Sequence, residues 1–252
     1  MPGSFDHSLA IILVALIPPR AWVSFRVLRR AAPENRAATR RRIYVTALIT
    51  QWGLCATLLA YWQIVHRPWN SLGLAPVLSP GAFGVAAGLA IMVTLLVRQA
   101  RRALPGSEVL DRARQRLAHV EPLLPHSIAE LRAFGAVAVT AGICEELLFR
   151  GFLIGYFANF TGLIQAALIS SVCFGIGHAY QGPRYVLVTA IVGAFLGGVY
   201  LVTGSIVLPM LIHAGMDLYS GWMGYRVYAP DAGGGGAGAR ESAASVPPAG
   251  SQ

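Results

Sequence analysis

The feature that most restricts this chain is the recurrence of long windows almost free of charge. Apolar runs at residues 8–27, 43–65, 81–97, 128–148, 162–176, 185–201 and 205–222 approach or exceed the ~18–20 residues that a helix needs to cross a ~30 Å hydrocarbon core. Only 12% of the residues are charged, about half the share usual in a soluble domain. The sequence therefore predicts an all-α fold, a polytopic membrane helix bundle of about seven transmembrane helices with a cytosolic amphipathic helix.

The first window is the weakest, because Pro18, Pro19 and Arg20 interrupt its helical pattern. It lacks a basic leading region and a small-residue cleavage pattern, so it reads as a retained helix rather than a signal peptide. Residues 26–42 carry seven arginines against one acid, Glu34. Residues 98–125 are also basic, and Leu110, Ala113, Leu117, Val120 and Leu124 recur there at helical spacing. That stripe either lies in the headgroup region or packs on neighbouring helices.

The organisation expected is thus N-terminal transmembrane helices over 1–98, a basic amphipathic cytosolic segment over 99–126, a transmembrane core over 127–226, and a disordered tail over 227–252. The tail is Gly, Ala, Ser and Pro, too poor in apolar groups to offset its ordering entropy. The net charge of +9 comes entirely from arginine, since the chain has no lysine. The arginines lie between apolar windows, as topology-setting loops do, so no nucleic-acid partner is implied. Positive-inside orientation puts both basic connections in the cytoplasm, the N-terminus outside and the C-terminus inside.

Cys55, Cys144 and Cys173 have no metal-ligand or redox spacing and read as small core residues. Gly84/Gly88, Gly151/Gly155 and Gly193/Gly197 would allow close helix approach.

Ionisable groups at membrane depth are costly unless paired or facing a polar cavity, so they mark function. Three windows carry them. Glu145 and Glu146 follow a long apolar run, and Glu146 shares a helical face with Arg150. Glu145 has no such local partner, and burial would move it toward the range of a general base. Phe174 and His178 stand four residues apart in the next window, and His213 and Asp217 do the same in the last. Asp217 could simply orient His213. Jointly these windows supply a free carboxylate, two imidazoles and an auxiliary acid, which is equipment for activating water.

The ordered set Glu145-Glu146-x-x-x-Arg150, Phe174-x-x-x-His178 and His213-x-x-x-Asp217 resembles the CPBP family of intramembrane endopeptidases, which includes the type II CAAX prenyl proteases and bacteriocin-processing or immunity proteins. The resemblance runs from about residue 124 to 220 and extends to the Leu-Pro-x-Ser-x-x-Glu-Leu segment at 124–131. It implies a glutamate-dependent peptidase in which Glu145 activates water with His178, His213 and Asp217 hold the oxyanion, and Glu146, Arg150 and Phe174 support them. Prenyl-protease members typically carry Asn where this chain has Asp217, whereas bacterial relatives accept either, which counts against CAAX processing in particular. The Arg-, Ala- and Gly-rich composition is similar to that of high-GC bacteria, so a bacterial cytoplasmic membrane is expected. The expected partner is a membrane-associated peptide or protein.

No cofactor is expected. A zinc version of the same peptidase, with Glu145, His178 and His213 as ligands, is the alternative, although no His-Glu-x-x-His is present. A non-catalytic adaptor or immunity protein binding a peptide through the same cavity is the rival of another class. A transporter is disfavoured by the lack of inverted repeats, and a serine enzyme by the lack of a Gly-x-Ser-x-Gly elbow. Simple spans would leave Glu145 and His178 near opposite membrane faces, so the Glu145 helix is expected to run on to about residue 158, or the spans to be shifted or re-entrant.

Overall fold

The computed structural model describes residues 1–74 and 108–229, with isolated positions between 84 and 98. Most of the third window, and the tail from 230, lie outside the described residues. Those described form seven helices and no strand: α1 Ser4–Arg30, α2 Pro33–Ile64, α3 Glu108–Leu117, α4 over 128–158, α5 Leu163–Gly177, α6 Pro183–Thr203 and α7 Val207–Tyr228. By length and apolar composition α1, α2 and α6 can cross a membrane, and α5 is a shorter apolar helix. Helices α4 and α7 carry the ionisable motifs within their length. The molecule is an all-α membrane bundle.

The Pro18-Pro19 interruption does not break α1. A wide π turn at Ile12–Leu16 precedes the prolines, which then occupy the first turn of the resumed α-helix Ile17–Arg30. There a missing N–H costs nothing and the fixed φ suits the helix. Pro33 opens α2 in the same way, and Ser127 caps α4 by accepting the Glu130 N–H at 3.2 Å.

Helix α4 is continuous through a second π turn, Leu147–Leu153, to Ala158. The chain then turns within four residues into α5, so positions equally far from the turn lie side by side. At 1.5 Å per residue, Glu145 sits ~20 Å and His178 ~22 Å from that turn. Extension of α4 therefore removes the separation that simple spans imposed. Helix α5 is also short: fifteen residues span ~22 Å, less than the ~30 Å hydrocarbon thickness. His178, at its end, consequently falls within the depth of the bundle.

Close helix approach occurs at Gly193 and Gly197, which face Ser171 and Ala167 of α5, and at Gly151, whose missing Cβ would sit 2.8 Å from the Leu72 carbonyl. Gly84, Gly88 and Gly155 have nothing within 4 Å. A further close contact is Gly142 of α4, where a Cβ would come within 2.7 Å of Ala214 on α7. The apolar stripe of α3 packs on helix: Ala113, Leu110 and Leu117 meet Met223, Trp222 and Val227, while Arg112, Arg114 and Arg116 are exposed.

Both ends are pinned by ion pairs. At one, buried Arg40 bonds Glu130 at 2.6 Å and the Pro122 carbonyl at 2.7 Å, and Tyr44 donates to the Leu123 carbonyl. At the other, Arg67 grips Asp6 with two bonds of 2.6 and 2.7 Å and lies over the rings of Tyr61 and Trp62. A cavity of about 280 Å³ sits at this second end, between Arg67, Trp62 and Gly155. It contains none of the motif residues.

Candidate active site

The three motifs meet around Phe174, which is 2% exposed. Its ring lies 4.8 Å from that of His178 and 5.7 Å, edge-on, from that of His213. The Arg150 guanidinium stands over it at 4.4 Å, an arrangement that the ring quadrupole favours. A side chain expected only to wall the cavity is thus the piece that gathers the others.

Beneath the ring runs a chain of charge. Arg150 bonds Glu146 Oε1 at 2.8 Å and donates to the Gly193 carbonyl at 3.1 Å. The pair is fully enclosed, at 1% and 0% exposure. The same Oε1 receives His213 Nδ1 at 2.8 Å. The Glu146–Arg150 pair expected from spacing is present, and it does more than brace one helix. It holds the His213 imidazole across from α7.

Glu146, not Asp217, is therefore the group that orients His213, because it bonds Nδ1 directly whereas Asp217 Oδ2 stands 3.7 Å from Nε2. With Nδ1 donating to Glu146, Nε2 is turned toward the other motif acids. It faces Glu145 Oε2 at 3.9 Å as well as Asp217. Glu145 and His213 are mostly buried, while the Asp217 side chain is 40% exposed.

His178 caps the end of α5. Its Nδ1 donates to the Phe174 carbonyl at 2.9 Å, which leaves Nε2 as the free acceptor. Its ring also approaches Tyr180, centroids 5.9 Å apart. Two imidazoles, each fixed through Nδ1 and each presenting Nε2, and one carboxylate, Glu145, are what this site offers to a water and a carbonyl.

Glu145 has a neighbour that the sequence reading passed over. Gln51 of α2 donates Nε2 to Glu145 Oε1 at 2.8 Å. The signal was available: Gln51 is an amide in the middle of an apolar window, at a position continuing the buried stripe Tyr44, Cys55, Leu58 and Trp62. Glu145 Oε2 is buried and accepts no hydrogen bond among the described residues. Among the described residues no three His, Cys, Asp or Glu side chains form a group placed to hold a metal ion.

Residues 127–219 match the family model described as Type II CAAX prenyl endopeptidase Rce1-like. Over this segment, a little over a third of its length, the chain is similar to the Rce1-like family. The match contains all seven motif residues, from Glu145 to Asp217, and agrees with the resemblance that the motifs carry. Gln51 and the whole of α1 to α3 lie outside it. No curated protein and no solved structure matches the chain. The apolar helices together with this similarity mark a membrane protein.

Proposed function

We propose that this protein is an intramembrane endopeptidase that hydrolyses a peptide bond of a membrane-associated protein or peptide with water activated by Glu145. The observation that carries the reading is the pairing of the buried Glu145 Oε2 with His213 Nε2 at 3.9 Å, close enough for one water or carbonyl oxygen lying beside the pair to hydrogen-bond to both.

Glu145 takes a proton from water as the water oxygen attacks the scissile carbonyl carbon. The carbonyl π pair moves to oxygen, and the oxyanion is held by a proton on His213 Nε2, with Asp217 beside that nitrogen. His178 Nε2 orients the attacking water. Collapse of the tetrahedral adduct breaks the C–N bond, and the proton on Glu145 passes to the leaving nitrogen, giving one acid and one amine. Glu146 and Arg150 keep the His213 ring at its post throughout. No cofactor takes part in this scheme.

The composition supports a bacterial cytoplasmic membrane, with the arginine-rich ends of the helices inside. Quantitative profiling of peptide termini in cells expressing wild type or Glu145→Ala, at matched membrane levels, tests the proposal. Termini that appear only with wild type are expected. Identical profiles under conditions that express the gene would overturn hydrolysis and favour an adaptor or immunity protein with the polar cavity as its peptide-binding site.

A further inference from the structure

Helix α2 is fixed against α4 on either side of Gln51, by the Arg40–Glu130 bond of 2.6 Å before it and by two contacts after it. Trp52 Nε1 donates to Thr140 Oγ1 at 3.1 Å, and the Cys55 thiol reaches the Cys144 carbonyl at 3.7 Å. Gln51 is therefore delivered to Glu145 by packing, not by a mobile loop. Its amide can face the carboxylate in only one sense, because the opposite rotamer would set oxygen against oxygen. With Nε2 committed to Glu145 Oε1, the amide Oε1 is the atom left over. It is buried and has no hydrogen-bond partner among the described residues, as is true of Glu145 Oε2. Two buried acceptor oxygens thus stand on adjoining, hydrogen-bonded side chains, and buried acceptors are ordinarily satisfied.

A peptide brings one donor to the reacting bond, its N–H. A carboxylate acting as base needs one oxygen held and the other free. The Gln51 amide meets both needs at once.

We infer that Gln51 is a substrate-binding and positioning residue of this site: its Nε2 holds Glu145 Oε1 so that Oε2 meets the water, and its Oε1 accepts the N–H of the scissile peptide bond. The inference rests on the hydrolytic reading above. It also gives the N-terminal helices a part in the chemistry, since α2 lies outside the segment that matches the endopeptidase family.

The test uses the full-length protein in bilayer nanodiscs and two probes built on the bond cleaved by wild type: a membrane-anchored fluorogenic peptide, and its counterpart with an ester in place of the scissile amide. The ester lacks the N–H at nearly the same shape. Gln51→Met, which keeps length and apolar packing, is expected to lower kcat on both probes about tenfold through loss of the hold on Glu145. It is further expected to lower the amide-to-ester rate ratio by about another tenfold through loss of the N–H contact. That ratio is taken within one preparation, so a partly misfolded variant does not disturb it, and Gln51→Ala provides a second reading.

An unchanged ratio in both variants overturns the substrate contact, and unchanged kcat overturns the positioning role. Glu145→Gln is run alongside. If it is inactive while Gln51→Met behaves as wild type, only the inference fails. If Glu145→Gln still cleaves the amide, Glu145 is not the base and the proposed mechanism itself fails.

Discussion

Replacing Arg150 by methionine strands the Glu146 carboxylate, which is 0% exposed, beside His213 with no guanidinium at hand. Breaking a buried ion pair by removing one partner costs about 3–5 kcal/mol, because a charge remains without compensation. The cation over Phe174 at 4.4 Å is lost as well, worth about 2 kcal/mol when desolvated, partly offset by the apolar packing that methionine restores. The expected destabilisation is about 4 kcal/mol. Adding Glu146→Gln removes the stranded charge and keeps an acceptor for His213 Nδ1, so the double variant should recover about 2 kcal/mol of that loss. Unfolding in dodecyl maltoside micelles titrated with dodecyl sulfate, followed by circular dichroism and tryptophan fluorescence, gives all four corners of the cycle. A single variant within about 1 kcal/mol of wild type, or penalties that simply add, would refute the picture of one enclosed charge network spanning α4 and α7.

Three further outcomes are expected. Gly142→Leu drives a side chain into Ala214, 2.7 Å from the first added carbon. It should part α4 from α7 and cut kcat about a hundredfold while the protein still purifies with membranes; wild-type activity would show that this contact does not set the His213–Glu146 bond. Chelation with phenanthroline should leave peptide hydrolysis intact, whereas loss of activity restored by zinc would convert Glu145, His178 and His213 into metal ligands. Burial lowers the affinity of His119 and His126 for a proton, so below about pH 6.5 the unfolded chain binds more protons than the folded one. Stability should therefore fall as pH falls through that window, and His119→Phe should flatten the slope seen in unfolding titrations at graded pH. Stability rising on acidification would contradict it.

The helical membrane fold was legible because apolar windows and their length follow directly from the thickness of a bilayer. The seven motif residues were legible for the complementary reason, that each is an ionisable or aromatic group at a regular helical interval where charge is expensive. What sequence did not reveal was how the motifs join. That Glu146 reaches across to His213, rather than serving Arg150 alone, depends on the α4–α7 approach at Gly142, which no interval along either helix encodes. Gln51 escaped because attention fell on ionisable groups, although a neutral amide on a buried stripe also needs a partner. The apolar window closed at 148, and the helix was expected to run on to about 158 only because Glu145 and His178 had to meet; the change of helix type within that stretch was not legible. Hydropathy registers composition, and a π turn alters only geometry.

That second π turn divides α4 into two segments with separate rotational phases. A π turn amounts to one residue inserted into an α-helix, so everything beyond it is rotated by roughly 100° from where a regular helix would put it. Upstream, the phase aims Glu145 at Gln51 and Glu146 at His213. Downstream, it aims Tyr156 at His7, bonded at 2.8 Å, and stacks it near Phe152. The helix is in effect geared: one insertion lets the motif-bearing half and the anchoring half each face its own partners. Deleting a single apolar residue from Leu147–Leu153 would leave hydropathy almost unchanged and yet swing the anchoring half a quarter-turn away from α1.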